Sequence, residues 1–474
     1  MTTKRAIIAS FIVSTCVFFI FSGTALAETI CGVRPELSLK ADRIQWASYY
    51  DYVNRILSVD HSISNVSSGD ATGVTVIGAR TSGGITSVTA MPMTIGTLVA
   101  GDSATFTMQY NIPMGVSNFR SRVLASVEDG CGNIYACPPP AQQINLQIVA
   151  AVHDTTNLSG ADGLYVDGNY AFIASGGSNS LSIIDISNPY APVITSALTD
   201  PYGRLDRAWG VQVSGNYAFV VTGYSGTSDR LTVVDVSNRA NPFIVGSLQD
   251  FINLDGALHI DVQGQYAYIT APFENRMTVV DISVPQGPRV VGSIRDDIRL
   301  YRADGISVNG THAYVVSHQL DGGTDRSYLN SIDISDPAHP TIASSLNSLY
   351  FRGGDQMAIV GNYLYIPGNL DHTFSIVDIS NPLSMNIVSH ITSDAYIGQS
   401  CFVDVADKLA FMTSADNSRI TVVDISDVTI PQIVGSLRDP INLSSALYVI
   451  AAGRFAYVTS PGGTFSVVEV TSTT

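Results

Sequence analysis

One segment recurs along the C-terminal two thirds of this chain and decides what it can fold into. LSIIDISNPYAPVITSAL at 181–198 returns as LTVVDVSNRANPFIVGSL at 231–248 and as MTVVDISVPQGPRVVGSI at 277–294. It returns again at 329–346, 374–391 and 420–437, and a seventh copy, FSVVEVTSTT, occupies 465–474. The acidic residues Asp185, Asp235, Asp281, Asp333, Asp378, Asp424 and Glu469 mark the period, at intervals of 50, 46, 52, 45, 46 and 45 residues. Repeats of this length specify a solenoid or a propeller, because a single unit cannot bury its apolar face alone.

The interior of the repeat separates the two. Ahead of each anchor lie two short β-type runs across a tight turn, as in GLYVDGNYAFIAS (163–175), GVQVSGNYAFVVT (210–222) and HIDVQGQYAYITA (259–271). Such runs form a hairpin. Adding the IIDIS-type and VITSAL-type runs gives four antiparallel strands per repeat, which is one propeller blade. The seventh repeat has strands near 446–451, 454–460 and 464–470 but no fourth, while IVAAVHD at 148–154 copies IVGSLRD (433–439) and IVGSLQD (244–250). The expectation is an all-β, seven-bladed β-propeller over 148–474, closed by this early strand completing the last blade, since folded proteins avoid an unpaired edge.

The V-x-G-N-Y-A-(F/Y) hairpins and the (V/I)-D-(I/V)-S-(N/D)-x-x-x-P segments resemble the LVIVP-repeat family, a bacterial group of β-propeller repeats, over about 148–474. Two copies depart from the pattern: Ala406-Asp407-Lys408 stands where the hairpin Gly-Asn is expected, and Glu469 replaces the anchor aspartate. The resemblance implies a propeller and a surface or secreted role, and it supplies no catalytic residue.

Residues 1–27 read as a secretory signal peptide: Lys4 and Arg5, an apolar stretch from Ala6 to Phe21, then Ala25-Leu26-Ala27. Export to an extracellular, cell-surface or periplasmic location is therefore expected, with no membrane span after cleavage. Residues 28–140 alternate β-type runs such as VTVIGA (74–79) and SATFTMQYNIP (103–113) with turns, as an immunoglobulin-like β-sandwich does. This module is similar to those of exported, adhesion-type bacterial proteins. Pro138-Pro139-Pro140 and a linker over 141–147 follow. An oxidising compartment favours one disulfide among Cys31, Cys131 and Cys137, with the pairing open, and Cys401 reads as a buried thiol.

The formal charge of −16 argues against a nucleic-acid partner, which needs basic surface to neutralise phosphates. The chain contains no G-x-S-x-G, S-x-x-K or H-E-x-x-H motif and no phosphate-cradling glycine loop, so no catalytic residue and no cofactor is expected.

In a propeller, whatever every blade carries serves the blade, and a site has to come from residues that break the repeat. The anchor acids and the recurring Tyr170, Tyr217, Tyr266 and Tyr363 are thus structural. Three inter-blade loops depart from the pattern. PYGRLDRAWG (201–210) carries Arg204, Asp206, Arg207 and Trp209, and DIRLYRADG (297–305) carries Arg299, Tyr301, Arg302 and Asp304. SLYFRGGD (348–355) carries Tyr350, Phe351, Arg352 and Asp355. Guanidinium groups bind carboxylates bidentately and stack on aromatic rings. The cluster therefore reads in two ways: Arg–Asp pairs bracing the channel mouth, or a binding surface. His259, His318 and His372 form a second candidate group, at spacings that match no metal motif, and Asp321-Gly-Gly-Thr-Asp325 reads as a calcium loop or a solvated turn. The functional expectation is an exported, non-enzymatic binding, adhesion or scaffold protein engaging a protein or carbohydrate at the cell surface. The alternative is a propeller hydrolase or oxidoreductase, lactonase-like, with its site at the channel mouth.

Overall fold

A computed structural model describes residues 37–45, 54–65, 70–81, 86–111, 121–128, 134–137, 144–223, 229–319, 326–394, 396–400 and 402–472. The signal segment 1–27, Cys31, Cys131, Cys401, the prolines 138–140 and the loop 321–325 lie outside these residues. The chain divides into two compact units between Gln142 and Gln143. No helix among the described residues is long and apolar enough to cross a membrane.

Among the described residues the first unit holds two four-stranded antiparallel sheets. One runs in the order Leu37–Gln45, Ile56–Asn65, Ser103–Asn111, Thr86–Ser87, and the other Met93–Leu98, Ala71–Thr81, Ser121–Glu128, Ile134–Cys137. Ile56–Asn65 alternates strictly along its second half, with Val59, His61, Ile63 and Asn65 buried, as a strand with one covered face must.

Among the described residues the second unit contains seven four-stranded antiparallel sheets, the blades of a propeller. Blade 1 is Ala161–Asp167, Tyr170–Ser175, Ser180–Asp185 and Val193–Thr199, in that order. Blades 2 to 6 repeat it. The seventh sheet orders Val449–Ala452, Phe455–Ser460, Thr464–Ser472 and Ile144–His153, with Phe465 opposite Val152 and Val467 opposite Ala150. Residues 144–147, expected in a linker, are instead the start of that strand. Leu146 is buried opposite Val470, and this apolar contact draws the pairing four residues further back. The first strands of successive blades adjoin around the axis, and that of blade 7 adjoins that of blade 1.

Apolar residues fill the wedges between blades. Phe172, Leu181 and Ile183 of blade 1 pack on Val211, Val213 and Val220 of blade 2, and each later interface repeats the arrangement. Each first hairpin turns through a left-handed residue, which is glycine at 168, 215, 264, 310, 361 and 453. In blade 6 Asp407 takes that conformation at φ +55°, so the departure in the sequence leaves the turn intact.

Three polar devices recur. The anchor carboxylates accept the backbone N–H of the serine two residues on, at 2.8 Å for Asp185 and 2.9 Å for Asp235, which confines them to the turn. Glu469 has a different task and accepts the Tyr190 hydroxyl at 2.9 Å. On the fourth strands, the position facing the next blade's turn is small. A Cβ on Gly246 or Gly292 would stand 2.1 or 2.2 Å from a proline carbonyl of that turn, whereas Ser196, Ser344 and Ser389 donate to turn carbonyls, those of Arg239, Pro382 and Val428.

The third device ties the inter-blade loops down. Three residues before each anchor acid the third strand carries a buried polar side chain: Ser182, Thr232, Thr278, Asn330, Ser375, Thr421 and Ser466. Each donates to a carbonyl of the loop above, for example Thr232 to Arg204 at 2.6 Å and Ser466 to Asn442 at 2.7 Å. Thr232→Val is isosteric and leaves the Arg204 carbonyl unpaired, so unfolding free energy should fall by about 1–3 kcal/mol in chemical denaturation, with Thr232→Ser much closer to the unaltered protein. Equal stability of the Val and Ser variants would disprove the device.

Candidate functional site

Inter-blade loops all lie on one face, because an even number of antiparallel strands returns the chain to the same side in every blade. An Asp or Ser opens each described loop and caps its turn. Asp250 accepts the N–H groups of Ile252 and Asn253 at 3.0 and 2.9 Å, and Asp439 accepts those of Ile441 and Asn442, each at 2.9 Å. Hydrogen bonds from Asn442 hold the Asp439 carboxyl below the usual carboxylate range.

Two of the arginines are spent inside these loops and a third on a turn between the second and third strands of blade 5. Arg204 grips Asp200 with two nitrogens, at 2.7 and 3.1 Å, and Arg299 meets Asp296 at 2.7 Å. Arg352 reaches Asp371 at 3.1 Å. Tyr350 stacks on His390 with centroids 3.8 Å apart, and Tyr301 is half-buried, its carbonyl accepting the His318 N–H. Arg207 and Arg302 differ. Their backbones are left-handed, at φ +52° and +49°, held by Asn179 and Asn275, and both residues stand exposed, as does Asp206, which precedes Arg207.

The last loop residue enters the first strand at the channel mouth, and here the blades diverge. This entry position holds Asp162, Trp209, Leu258, Asp304, Asp355 and Leu447 among the described residues. The next position holds glycine in blades 1, 2 and 4, and a Cβ on Gly305 would overlap the Asp355 carbonyl of the neighbouring blade at 1.3 Å. Blades 3, 5, 6 and 7 instead project His259, Gln356, Phe402 and Tyr448. These side chains, with Tyr165, Gln212 and Asp404 a layer below, line a cavity of about 230 Å³ on the propeller axis.

Asp304 is the hub of this mouth. Its Oδ1 lies 3.0 Å from Nε2 of the buried His259, and its Oδ2 lies 3.4 Å from Nε2 of His318. His318 accepts the Gly353 N–H on Nδ1 at 3.2 Å, so the neutral ring carries its proton on Nε2, toward Asp304. His259 places Nδ1 3.3 Å from the Tyr448 hydroxyl, and Tyr448 stacks on Phe402 with centroids 3.6 Å apart. Ligand atoms of Asp304, His318 and Asp355 lie within 4.8 Å of one another. Burial would raise the pKa of Asp304, but the hydrogen bonds from His259 and His318 outweigh it and hold the carboxyl well below the usual range.

Two groups that the sequence reading kept apart thus meet: Asp304 and Asp355 from the arginine-bearing loops, and His259 and His318 from the histidines. His372 does not join them and pairs with Asp394 at 2.7 Å. Tyr448, Phe402 and Gln356 escaped the reading. Their signal was available, since aligning the seven first strands shows large side chains at a position that is glycine in three blades.

The LVIVD repeat matches residues 160–200, 207–250, 256–296, 302–348, 353–392 and 397–439. Its last letter falls on the anchor aspartate, which corrects the label LVIVP used for the resemblance above. No curated protein matches the chain. Solved structures with a similar fold include virginiamycin B lyase from Staphylococcus aureus, at 9% identity over 69% of this chain and 99% of that one, with a TM-score of 0.49. BamB from Moraxella catarrhalis is 12% identical over 69% and 98% of the two chains, with a TM-score of 0.43. Sqt1 of Saccharomyces cerevisiae is 9% identical over 68% and 98%, with a TM-score of 0.47.

Asp162 gives the mouth a pH dependence. Burial pushes its carboxyl up to about 7, against a weaker opposing hydrogen bond from Gly176. A raised carboxyl means that the folded form keeps a proton which the unfolded chain has already released. Stability from this group is therefore full below about pH 4 and falls as pH rises toward 7. In Asp162→Asn, the drop in thermal midpoint between about pH 5 and pH 8 should shrink. An unchanged drop would contradict the assignment.

Proposed function

The chain belongs to the LVIVD-repeat family, and we propose that it is an exported binding or scaffold protein that engages a protein partner through the loop face of a rigid ring fastened by the early strand 144–153. One observation carries this reading. Tyr202, Ile252, Ile298 and Ile441 each stand two residues beyond a capping aspartate, and Leu349 follows the capping Ser348, in five separate loops. Exposure at these five positions runs from 59% at Ile298 to 80% at Tyr202. Nothing in the blade requires an apolar residue there, and a circle of such residues on one face is what a protein interface uses. Arg207 and Arg302 add guanidinium groups on the same face, suited to carboxylates of a partner.

Export rests on the signal-like residues 1–27. The N-terminal unit is read as an immunoglobulin-like sandwich on the strength of its two four-stranded sheets, with one disulfide among Cys31, Cys131 and Cys137. A carbohydrate partner is the weaker form of the proposal, because the exposed rim residues are mostly aliphatic and offer few planar donors. A second reading, a propeller hydrolase or oxidoreductase at the channel mouth, draws on the alignment of Tyr448, His259 and Asp304 beside the cavity. Turnover of lactones or glycosides that is lost in His259→Gln would favour it.

The binding proposal is tested by crosslinking capture from an envelope extract, comparing two variants. Replacing Tyr202, Ile298 and Ile441 by Asp should abolish capture of a partner that the unaltered protein retains. Replacing Val284 and Leu383, exposed on the turns of the opposite face, should leave capture intact. Equal effects of both variants, at matched thermal midpoints, would defeat the loop-face assignment.

A further inference from the structure

We infer that the channel mouth is a binding site for one divalent first-row transition-metal ion, held by Asp304, Asp355 and His318, with His259 orienting Asp304. Ligand atoms of these three groups already converge from two adjacent blades, and His259 of the preceding blade holds the other oxygen of Asp304. Two imidazole Nε2 atoms approach opposite oxygens of one carboxylate at 3.0 and 3.4 Å, and a second carboxylate comes within 4.8 Å of Asp304 and His318. Ligands at about 2.1 Å around a tetrahedral ion are about 3.4 Å apart, so the three groups have to draw together by no more than about 1.4 Å, with water completing the shell.

The chemistry of the donors selects the ion. An imidazole nitrogen with two carboxylates suits Zn²⁺ and its first-row neighbours, whereas Ca²⁺ and Mg²⁺ prefer oxygen alone. Among the described residues Asp304 makes no ion pair with Arg or Lys, and both groups that it pairs with are histidines. A divalent ion would place a full cation directly on this carboxylate. About a fifth of the Asp304 side chain and 15% of that of His318 remain exposed, which leaves an entry path from the mouth.

Ligation turns the His318 Nε2 from donor to ligand and moves the remaining ring proton to Nδ1. His259 keeps its Nε2 on Asp304 and its Nδ1 beside the Tyr448 hydroxyl, an outer hold of the kind that orients a ligating carboxylate. For His318 the 3.2 Å contact from the Gly353 N–H has to open, and the ion must outweigh that loss.

The full chain, stripped with chelator, is incubated with ZnCl2, desalted and assayed by elemental analysis, and in parallel titrated with Co²⁺ in the visible range. One equivalent of zinc should be retained, and Co²⁺ should give the intense d–d bands of a low-coordinate site with a nitrogen donor. Asp304→Asn and His259→Gln should each weaken affinity by roughly tenfold or more, while His372→Ala, at the surface His–Asp pair, should not. Retention below about 0.1 equivalent by a folded, unaltered chain would overturn the site. So would a stoichiometric ion that persists unchanged in both mouth variants, or one that Ca²⁺ displaces. The Co²⁺ spectrum of the unaltered protein decides the matter even if a variant fails to fold.

Discussion

A carbonyl oxygen turned inward from each inter-blade loop has to be met by a donor, and the third strand of the blade below supplies it. The group is a hydroxyl at Ser182, Thr232, Thr278, Ser375, Thr421 and Ser466 and an amide at Asn330. Leaving such a carbonyl unpaired in a packed interior costs more than the bond itself contributes. The side chain therefore has to be polar, short and buried at one fixed distance from the anchor acid, seven times over. Once that bond is made, each loop starts from the same height above its blade, and the residues that project from it are presented in register around the ring.

The wedge between blades sets the complementary limit. Where the fourth strand faces the next blade's turn, Gly246 and Gly292 let a backbone carbonyl approach closely, and Ser196, Ser344 and Ser389 convert the same approach into a hydrogen bond. On the inner strands, Asp261 accepts the Val308 N–H at 2.7 Å and Asp404 accepts that of Ala451 at 2.8 Å, so that polar bonds link neighbouring blades near the axis as well. Burial pushes Asp261 up to about 6, the cost of placing a carboxyl where only two backbone donors reach it.

These requirements explain which parts of the molecule could be read from the sequence. A blade repeats because its constraints repeat, and the anchor acids, hairpin glycines and alternating strands stand in the chain as a visible period. The arginines were harder. Arg204 lies four residues from Asp200 and Arg299 three from Asp296, but spacing alone does not say that each guanidinium turns back onto its own loop rather than outward. His259 and Asp304 are 45 residues apart and Asp304 and His318 only 14, intervals that match no local motif because a ring, not a helix face, brings them together. The period itself held the missing clue, since a residue exchanged for glycine in three blades marks the one layer where the repeat has been given up.

That layer and the outer rim make different demands on the same loops. At the rim, the apolar residues beyond the capping acids gain nothing from the blade beneath them, so their effect is confined to what meets the surface. At the mouth, Asp304 and its two histidines are held by backbone and side-chain bonds from three blades, and a shift of any one blade moves the donors relative to each other. A partner seated on the rim would contact loops 201–210 and 297–305, whose last residues are Gly210 and Gly305, one step beyond Trp209 and Asp304 at the channel entrance. Rim and mouth are thus built from the same two loops, with Tyr202 and Ile298 near their beginnings and Trp209 and Asp304 near their ends.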